Sequence, residues 1–434
     1  MKLILLELNE INFDFVRKYI RSGEKLPGFT KLLEGKFIHT NSEEKYEYLE
    51  PWIQWVSVHT GKSYKDHKIF RLGDIVSSSE KQIFETLEEE GITVGAVSPM
   101  NARNNLKKPS YFIPDPWTKT SNDGSLISRF IHQSISQAVN DNAKSKLTKK
   151  TIFYFVMSML IAIPLKKLFR LSFYALSCFK YKYRKALFLD IVIFGVHQYL
   201  FKKKNPDFST LFLNGGAHIQ HHYFFNSKIY KDSENKNPNW YLEGEVDPLL
   251  DMLRCYDKMI TELLSTDNVE ILVATGLSQK PYDRTKFYYR LENHKKFLKH
   301  LGISYKEVLP RMTRDFLIKF GSSTDAEKAH RQLKSLKIND EVNMFNHIDN
   351  RGKELFVTLT YPNEILNTDF VRISDGKKMI LKDQVVFVAI KNGMHQAEGF
   401  AYFSDGIKNF APSDGDHVKE IYFSILKFFG ITVQ

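Results

Sequence analysis

Residues 3–16 read LILLELNEINFDFV, and the change of pattern inside this stretch decides the fold. From Lys2 to Leu8 the chain is almost wholly apolar, as in a strand buried on both faces of a parallel sheet. Asn9 and Glu10 break the run, and Phe13, Val16 and Ile20 then recur at helical spacing. Strand, polar turn and helix together open a β-α-β unit. The same grammar continues outward. Pro27 opens a helical stretch carrying Phe29, Leu32 and Leu33, and Phe84 and Leu87 run to Gly91 ahead of the strand-like ITVGAV. FSTLFL at 208–213, VEILVA at 269–274 and VVFVAI at 385–390 read as further buried strands. The chain closes on Val418, Ile421, Ile425 and Phe429 at helical spacing, with Gly430 as cap. The expectation is an α/β fold with a mostly parallel sheet sandwiched by helices, binding ligands at the carboxyl ends of its strands.

The 434 residues are 43% hydrophobic and 26% charged, which excludes a disordered chain and leaves room for a large core with an insertion or two. Residues 1–124, 206–299 and 381–434 carry the α/β grammar. Residues 125–205 form a basic, apolar helical insertion, and 300–380 a small α+β insertion with strand-like RDFLIKF and ELFVTLT. Cys178 and Cys255 stand far apart, which excludes a CxxC pair or a Cys/His zinc cluster and points to reduced thiols. The opening MKLILLELNE has no signal-peptide core, so the expected compartment is the cytoplasm.

The net charge of +12 is unevenly spread. Between Lys149 and Lys204 stand twelve Lys/Arg and one acidic residue, Asp190. Within that segment TIFYFVMSMLIAIPL is uncharged, but its 15 residues fall short of the ~20 that span a bilayer, and Pro164 interrupts them. Lys166, Lys167 and Arg170, then Lys180, Lys182, Arg184 and Lys185, flank apolar helical stretches in the manner of an interfacial membrane helix. The expected partners are an anionic membrane surface, at its inner face, and a lipid-linked substrate. The aliphatic character and the lack of a recognised module argue against nucleic acid. A buried helical insertion with a solvated charged rim is the competing reading.

Four further stretches follow strand ends or precede them in a set order: LPGFTKLLEG after the first strand, EPWIQWVSVHTGKSYKDHKIF at 50–70, NGGAH at 214–218, and GMHQAEGF at 393–400. This order resembles the alkaline phosphatase superfamily, particularly its type I phosphodiesterase/nucleotide pyrophosphatase branch, over roughly 1–110, 207–285 and 385–434. Trp55, Ser57, Thr60, Gly61, His67 and Ile69 keep the register of the most specific motif, and KEIYFSILKFFGI matches the last helix. The resemblance implies an alkaline-phosphatase-like sheet, phosphoester chemistry and a two-zinc site. The site departs from the pattern. Asn9 stands for the first carboxylate ligand, Pro51 beside Glu50 for the nucleophile, Asn214 for the next carboxylate, and Thr275 with Gly276 for the Asp-His pair. Two zincs need carboxylates that these residues do not supply, so at most one divalent ion is expected, with His218 and His395 as its possible ligands.

Glu7 and Glu10 close the first strand as candidate general bases, and His218, His222 and His395 are candidate catalytic imidazoles that stabilise phosphate charge. Glu7 sits inside an apolar strand, where an unpartnered carboxylate is costly. Asn9, Asn214, His221, Tyr223, Ser278, Gln279 and Glu398 are candidate substrate-binding residues, the Gly-Gly before the histidine cluster permitting close approach to a ligand. The functional expectation is a membrane-surface enzyme of phosphoester or glycosyl-phosphate chemistry on a lipid-linked or nucleotide-linked glycan. Two alternatives stand beside it: a metal-independent glycosyltransferase of cell-surface polysaccharide synthesis, and a catalytically inactive binding protein of the same fold.

Overall fold

The computed structural model describes residues 1–140, 148–230, 235–311, 314–373 and 376–432. The chain divides into two compact units, Met1–Ala138 with Leu147–Pro281 and Gly393–Gln434, and Val139–Lys146 with Tyr282–Asn392.

The first unit is built on a seven-stranded sheet. Its strands are β1 (Leu3–Leu8), β2 (Lys36–Asn41), β3 (Val94–Val97), β4 (Tyr111–Ile113), β5 (Phe208–Leu213), β6 (Glu270–Ala274) and β17 (Glu398–Phe403). They lie in the order β2-β17-β6-β1-β5-β3-β4. β1 is central and parallel to both β5 and β6, and only β17 runs against its neighbours. Every residue of β1 and of β5 is buried, which is why both read as continuous apolar runs. The register pairs Leu8 with Leu213 and Glu7 with both Phe212 and Ala274. Asn9, Asn214 and Thr275 therefore leave the sheet at one level.

Helices α1 (Phe13–Arg21), α2 (Pro27–Glu34), α3 (Pro51–Thr60), α4 (Tyr64–His67), α5 (Ile83–Glu89), α9 (Arg184–Lys204), α10 (Gly215–Tyr223), α11 (Pro248–Leu264) and α14 (Glu420–Phe428) belong to this unit. Asn12 caps α1 through its side chain, and α3 ends at Gly61 with φ +70°. The 125–205 segment does not behave as one insertion. α6 (Leu126–Asn140), α7 (Lys149–Ala162) and α8 (Leu165–Lys180) precede α9, but α9 buries Leu187, Val192, Val196 and Leu200, and its His197 bonds Ser209 of β5 at 2.9 Å. That helix is the crossover that feeds the core strand. Residues 141–147 of this segment lie outside the described residues.

The second unit holds two antiparallel four-stranded sheets. One joins β8 (Glu307–Pro310), β9 (Asp315–Lys319), β12 (His347–Asn350) and β13 (Glu354–Thr358). The other joins β10 (Lys337–Ile338), β11 (Val342–Asn343), β14 (Phe370–Arg372) and β15 (Lys378–Ile380). Helices α12 (His294–His300) and α13 (Ser323–Lys334) accompany them. The 300–380 insertion lies inside this unit, which runs from Tyr282 to Asn392. VVFVAI is a strand, but not of the parallel sheet. It belongs to β16 (Val385–Gln396), which pairs with β7 (Ser278–Leu291), and the final strand of the main sheet is β17. An apolar run cannot by itself name the sheet it joins.

Candidate metal centre

β1 ends in a tight turn in which the Ile11 N–H reaches the Leu8 carbonyl at 3.3 Å and Glu10 takes φ +62°. That conformation costs a non-glycine residue about 1 kcal/mol or more, strain that is kept where a side chain must be aimed. Glu10 is 2% exposed. Asn9 Nδ2 donates to its Oε1 at 3.0 Å, Gln279 Nε2 donates to its Oε2, and Gln220 Nε2 donates to its carbonyl at 2.8 Å. Asn9 and Gln279 thus fix the carboxylate, and Gln220 fixes the backbone that carries it.

Two histidines converge on the same oxygen. His221 Nε2 and His395 Nε2 each lie 3.1 Å from Glu10 Oε2, and 3.3 Å from each other. The far nitrogens are oriented as well. His221 Nδ1 meets the Gly393 carbonyl at 3.3 Å, and His395 Nδ1 faces Glu50 Oε2 at 3.7 Å. A carbonyl only accepts, so the His221 proton sits on Nδ1 in that contact. Its Nε2 then points either a lone pair or an imidazolium proton at Glu10. Three Lewis-basic atoms thus meet at one point, each backed by an outer partner of the kind that orients metal-ligating histidines. Burial alone would raise the Glu10 carboxyl, but His395 and then His221 outweigh it and hold Glu10 well below the usual carboxylate range.

The spacing fits a small divalent cation. Tetrahedral bonds of about 2.0–2.1 Å place ligand atoms roughly 3.3–3.4 Å apart, so edges of 3.1, 3.1 and 3.3 Å need little adjustment. Glu10, His221 and His395 form the one group of three or more potential metal ligands found among the described residues.

The two-zinc arrangement implied by the resemblance does not fit. Asn9 Oδ1 accepts from the indole N–H of Trp55 at 2.8 Å, and its Nδ2 also donates to Asn214 Oδ1 at 2.8 Å. Two positions that would carry repelling carboxylates are instead joined by an amide–amide hydrogen bond. Thr275 Oγ1 accepts from the Phe400 N–H at 2.9 Å. No carboxylate remains there for a second ion.

Other expected site residues go elsewhere. Glu7 is not in the cluster: it is fully buried in the sheet, where Oε1 meets His59 Nε2 at 2.9 Å and accepts from Thr210 Oγ1 at 2.6 Å. A carboxylate inside an apolar strand is matched by a buried histidine from α3. His218 stays outside the convergence; its ring lies 4.8 Å from that of His222, one turn further along α10. Tyr223 stacks on Tyr241 and packs against Tyr183. Ser278 is fully buried and donates to the Glu398 carbonyl at 2.6 Å, so its hydroxyl serves the chain. Glu398 lines a separate recess with Asp14, Lys18 and Lys280.

The paired glycines make close contacts within the protein. The Gly215 N–H donates to Asp190 of α9 at 2.8 Å and the Gly216 N–H to the Tyr256 hydroxyl of α11 at 2.7 Å, and a Cβ at either would collide with these partners. They seat the first turn of α10 so that Gln220 and His221 reach the Glu10 turn. Gly393 has a similar task, since a Cβ there would stand 2.2 Å from Gln279 Oε1 and 2.7 Å from the Gln220 carbonyl. Sequence reasoning missed Gln220 and Asn12, whose N–H and amide bind Gln220 Oε1 at 3.0 Å and the Gln279 carbonyl at 2.7 Å. Only the N-cap position of Asn12 could have been read beforehand.

No protein-family model and no curated protein matches the chain. Among solved structures it is similar to phosphonoacetate hydrolase from Sinorhizobium meliloti 1021, with TM-score 0.45 and 12% identity over 99% of this chain and 96% of that one. It is similar to murine ectonucleotide pyrophosphatase/phosphodiesterase 5, with TM-score 0.43 and 11% identity over 100% and 96%. It is also similar to alkaline phosphatase from the Antarctic bacterium TAB5, with TM-score 0.40 and 11% identity over 100% and 99%. At such identity and score these likenesses transfer no residue role, substrate or activity. The three are alkaline phosphatase superfamily members, the family that the order of motifs resembles.

Proposed function

We propose that this chain is a phosphoester-processing enzyme that works with a single divalent ion held by Glu10, His221 and His395. The observation that carries the reading is the convergence of those three ligand atoms within 3.3 Å of one another beside the carboxyl end of β1. One ion in such a place polarises a phosphoryl oxygen and lowers the pKa of bound water. The chain's own groups do the rest. Asn9 and Gln279 keep the Glu10 carboxylate aimed, Glu50 and the Gly393 carbonyl keep the two rings turned inward, and His218 and His222, one turn apart on α10, are the proposed contacts of the phosphate oxygens. Pro51 stands where the resemblance places a hydroxyl nucleophile, so water or an acceptor hydroxyl attacks phosphorus directly and the P–O ester bond breaks. For substrate we propose a lipid-linked or nucleotide-linked glycan phosphate; the apolar outer surface of α7 and α8 supports the lipid-linked form.

The test is metal content of protein purified without chelator, together with turnover of a chromogenic phosphodiester. About one equivalent of zinc or manganese is expected, with turnover lost on chelation, restored by the metal, and absent from Glu10→Gln. Protein without bound metal, or turnover indifferent to chelator, would overturn the proposal.

A further inference from the structure

Helices α7 and α8 wear their amphipathic faces inside out. On α7 the residues turned toward the protein are Thr151, Ser158 and Ala162, which share one narrow stripe, whereas Phe153 and Leu160 on the other side are 57% and 55% exposed. On α8 the buried stripe holds Leu171 and Cys178, while Leu165, Phe169, Phe173 and Leu176 recur at helical spacing on the opposite face. Those four are 59–81% exposed, and Phe179, on the same face, is 84% exposed. One of the flanking cations, Lys167, pairs with Glu262 of α11 at 2.6 Å. Of the nineteen large hydrophobic side chains exposed among the described residues, ten lie on these two helices. A patch of that kind marks a surface meant to be covered.

Both helices pack along α9, and Ile163 between them lies against Gly195, where a Cβ would come within 2.9 Å. The hairpin is thus seated on the protein with its apolar side outward. Lys149, Lys150, Lys166, Lys180, Lys182 and Lys185 stand exposed at the helix ends, and no acidic residue occurs between Lys149 and Leu189. The side chain of Arg170, expected among these cations, lies outside the described residues. A second copy on the same face would bring lysines against lysines, whereas anionic headgroups complement them. No helix among the described residues is long and apolar enough to cross a membrane. The 16 residues of α8 extend about 24 Å, short of the ~30 Å hydrocarbon core, but suited to lying in the interface.

We propose that the α7–α8 hairpin docks the protein on a bilayer that carries anionic lipid, with the apolar face in the headgroup–acyl boundary. This rests on the surface alone and supplies the lipid-linked substrate class of the reading above. The experiment is flotation of the full chain with phosphatidylcholine vesicles containing about a third phosphatidylglycerol, at about 0.1 M salt. The expected result is co-flotation, weakened by pure phosphatidylcholine or high salt, and reduced roughly tenfold or more in Phe169→Glu/Phe173→Glu. Both positions are exposed, so the variant folds; far-UV circular dichroism and thermal unfolding verify it. Absence of binding to anionic vesicles, or undiminished binding by the folded variant, would defeat the proposal. So would a wild-type dimer that the variant converts to monomer, since the occupant would then be a second copy. Metal content is measured on the same samples. It depends on Glu10, His221 and His395, so failure of docking and failure of the metal reading are told apart.

Discussion

His221→Ala and His218→Ala separate the ligand set that the packing brings together from the one the motif order implies. His221 Nε2 is 3.1 Å from Glu10 Oε2, whereas His218 packs on His222 and takes no part in the convergence. Structural zinc sites with four ligands are worth about 10–16 kcal/mol near neutral pH, hence about 2.5–4 kcal/mol per ligand and a loss of roughly a hundredfold or more in affinity when one is removed. His221→Ala is expected to bind zinc or manganese at least about a hundredfold more weakly, and His218→Ala within about threefold of wild type. The difference is legible in stability. With free metal at about 100 times the wild-type dissociation constant, wild type gains about 2.7 kcal/mol over its chelated form, while a hundredfold weaker variant gains only about 0.4 kcal/mol. Isothermal titration gives the affinities directly, and thermal unfolding with and without chelator checks the linkage. Metal retained by His221→Ala and lost from His218→Ala would refute the geometry in favour of the family-like ligand set.

Two further outcomes test the surroundings of the site. Glu7→Ala is expected to destabilise by about 3–5 kcal/mol, because it strands His59 without its buried partner, while the folded fraction keeps its metal; loss of metal at unchanged stability would return Glu7 to the site. Asp190, which caps α10 and accepts from Tyr256, has its carboxyl raised by burial to about 7. The folded protein then holds a proton that the unfolded chain has released, so stability falls as pH rises from about 4 to about 7, by up to about 4 kcal/mol, and levels above that. Asp190→Asn keeps the acceptor and should flatten this slope in denaturant titrations at several pH values; an unchanged slope contradicts the assignment.

The strand ends were visible in the sequence because a strand buried on both faces leaves an apolar run that stops where the loop begins. β5 falls on FSTLFL residue for residue, and Glu10 and His395 were marked by such stops and by the order of motifs. What local pattern cannot carry is a partner far along the chain. Glu7 and Glu10 look alike in LILLELNE, yet three residues along the strand-turn send one carboxylate to His59 in the core and the other to His221 and His395.

The choice of histidine was likewise decided by packing. The resemblance favoured His218, but the seating of Gly215 and Gly216 on Asp190 and Tyr256 sets the rotation of α10, and that rotation brings Gln220 and His221 to the Glu10 turn. The basic, uncharged-centred stretch at 149–185 told of an apolar surface beside cations, a matter of composition that the sequence states by itself. Which side of each helix faces the protein depends on what α9 offers it, and only the tertiary structure shows that the small and polar residues went inward and the phenylalanines out. Apolar runs and turns are fixed by local steric and hydrophobic preference, so the sequence determined the elements; pairings across 200 residues depend on how those elements pack, so the fold decided the site.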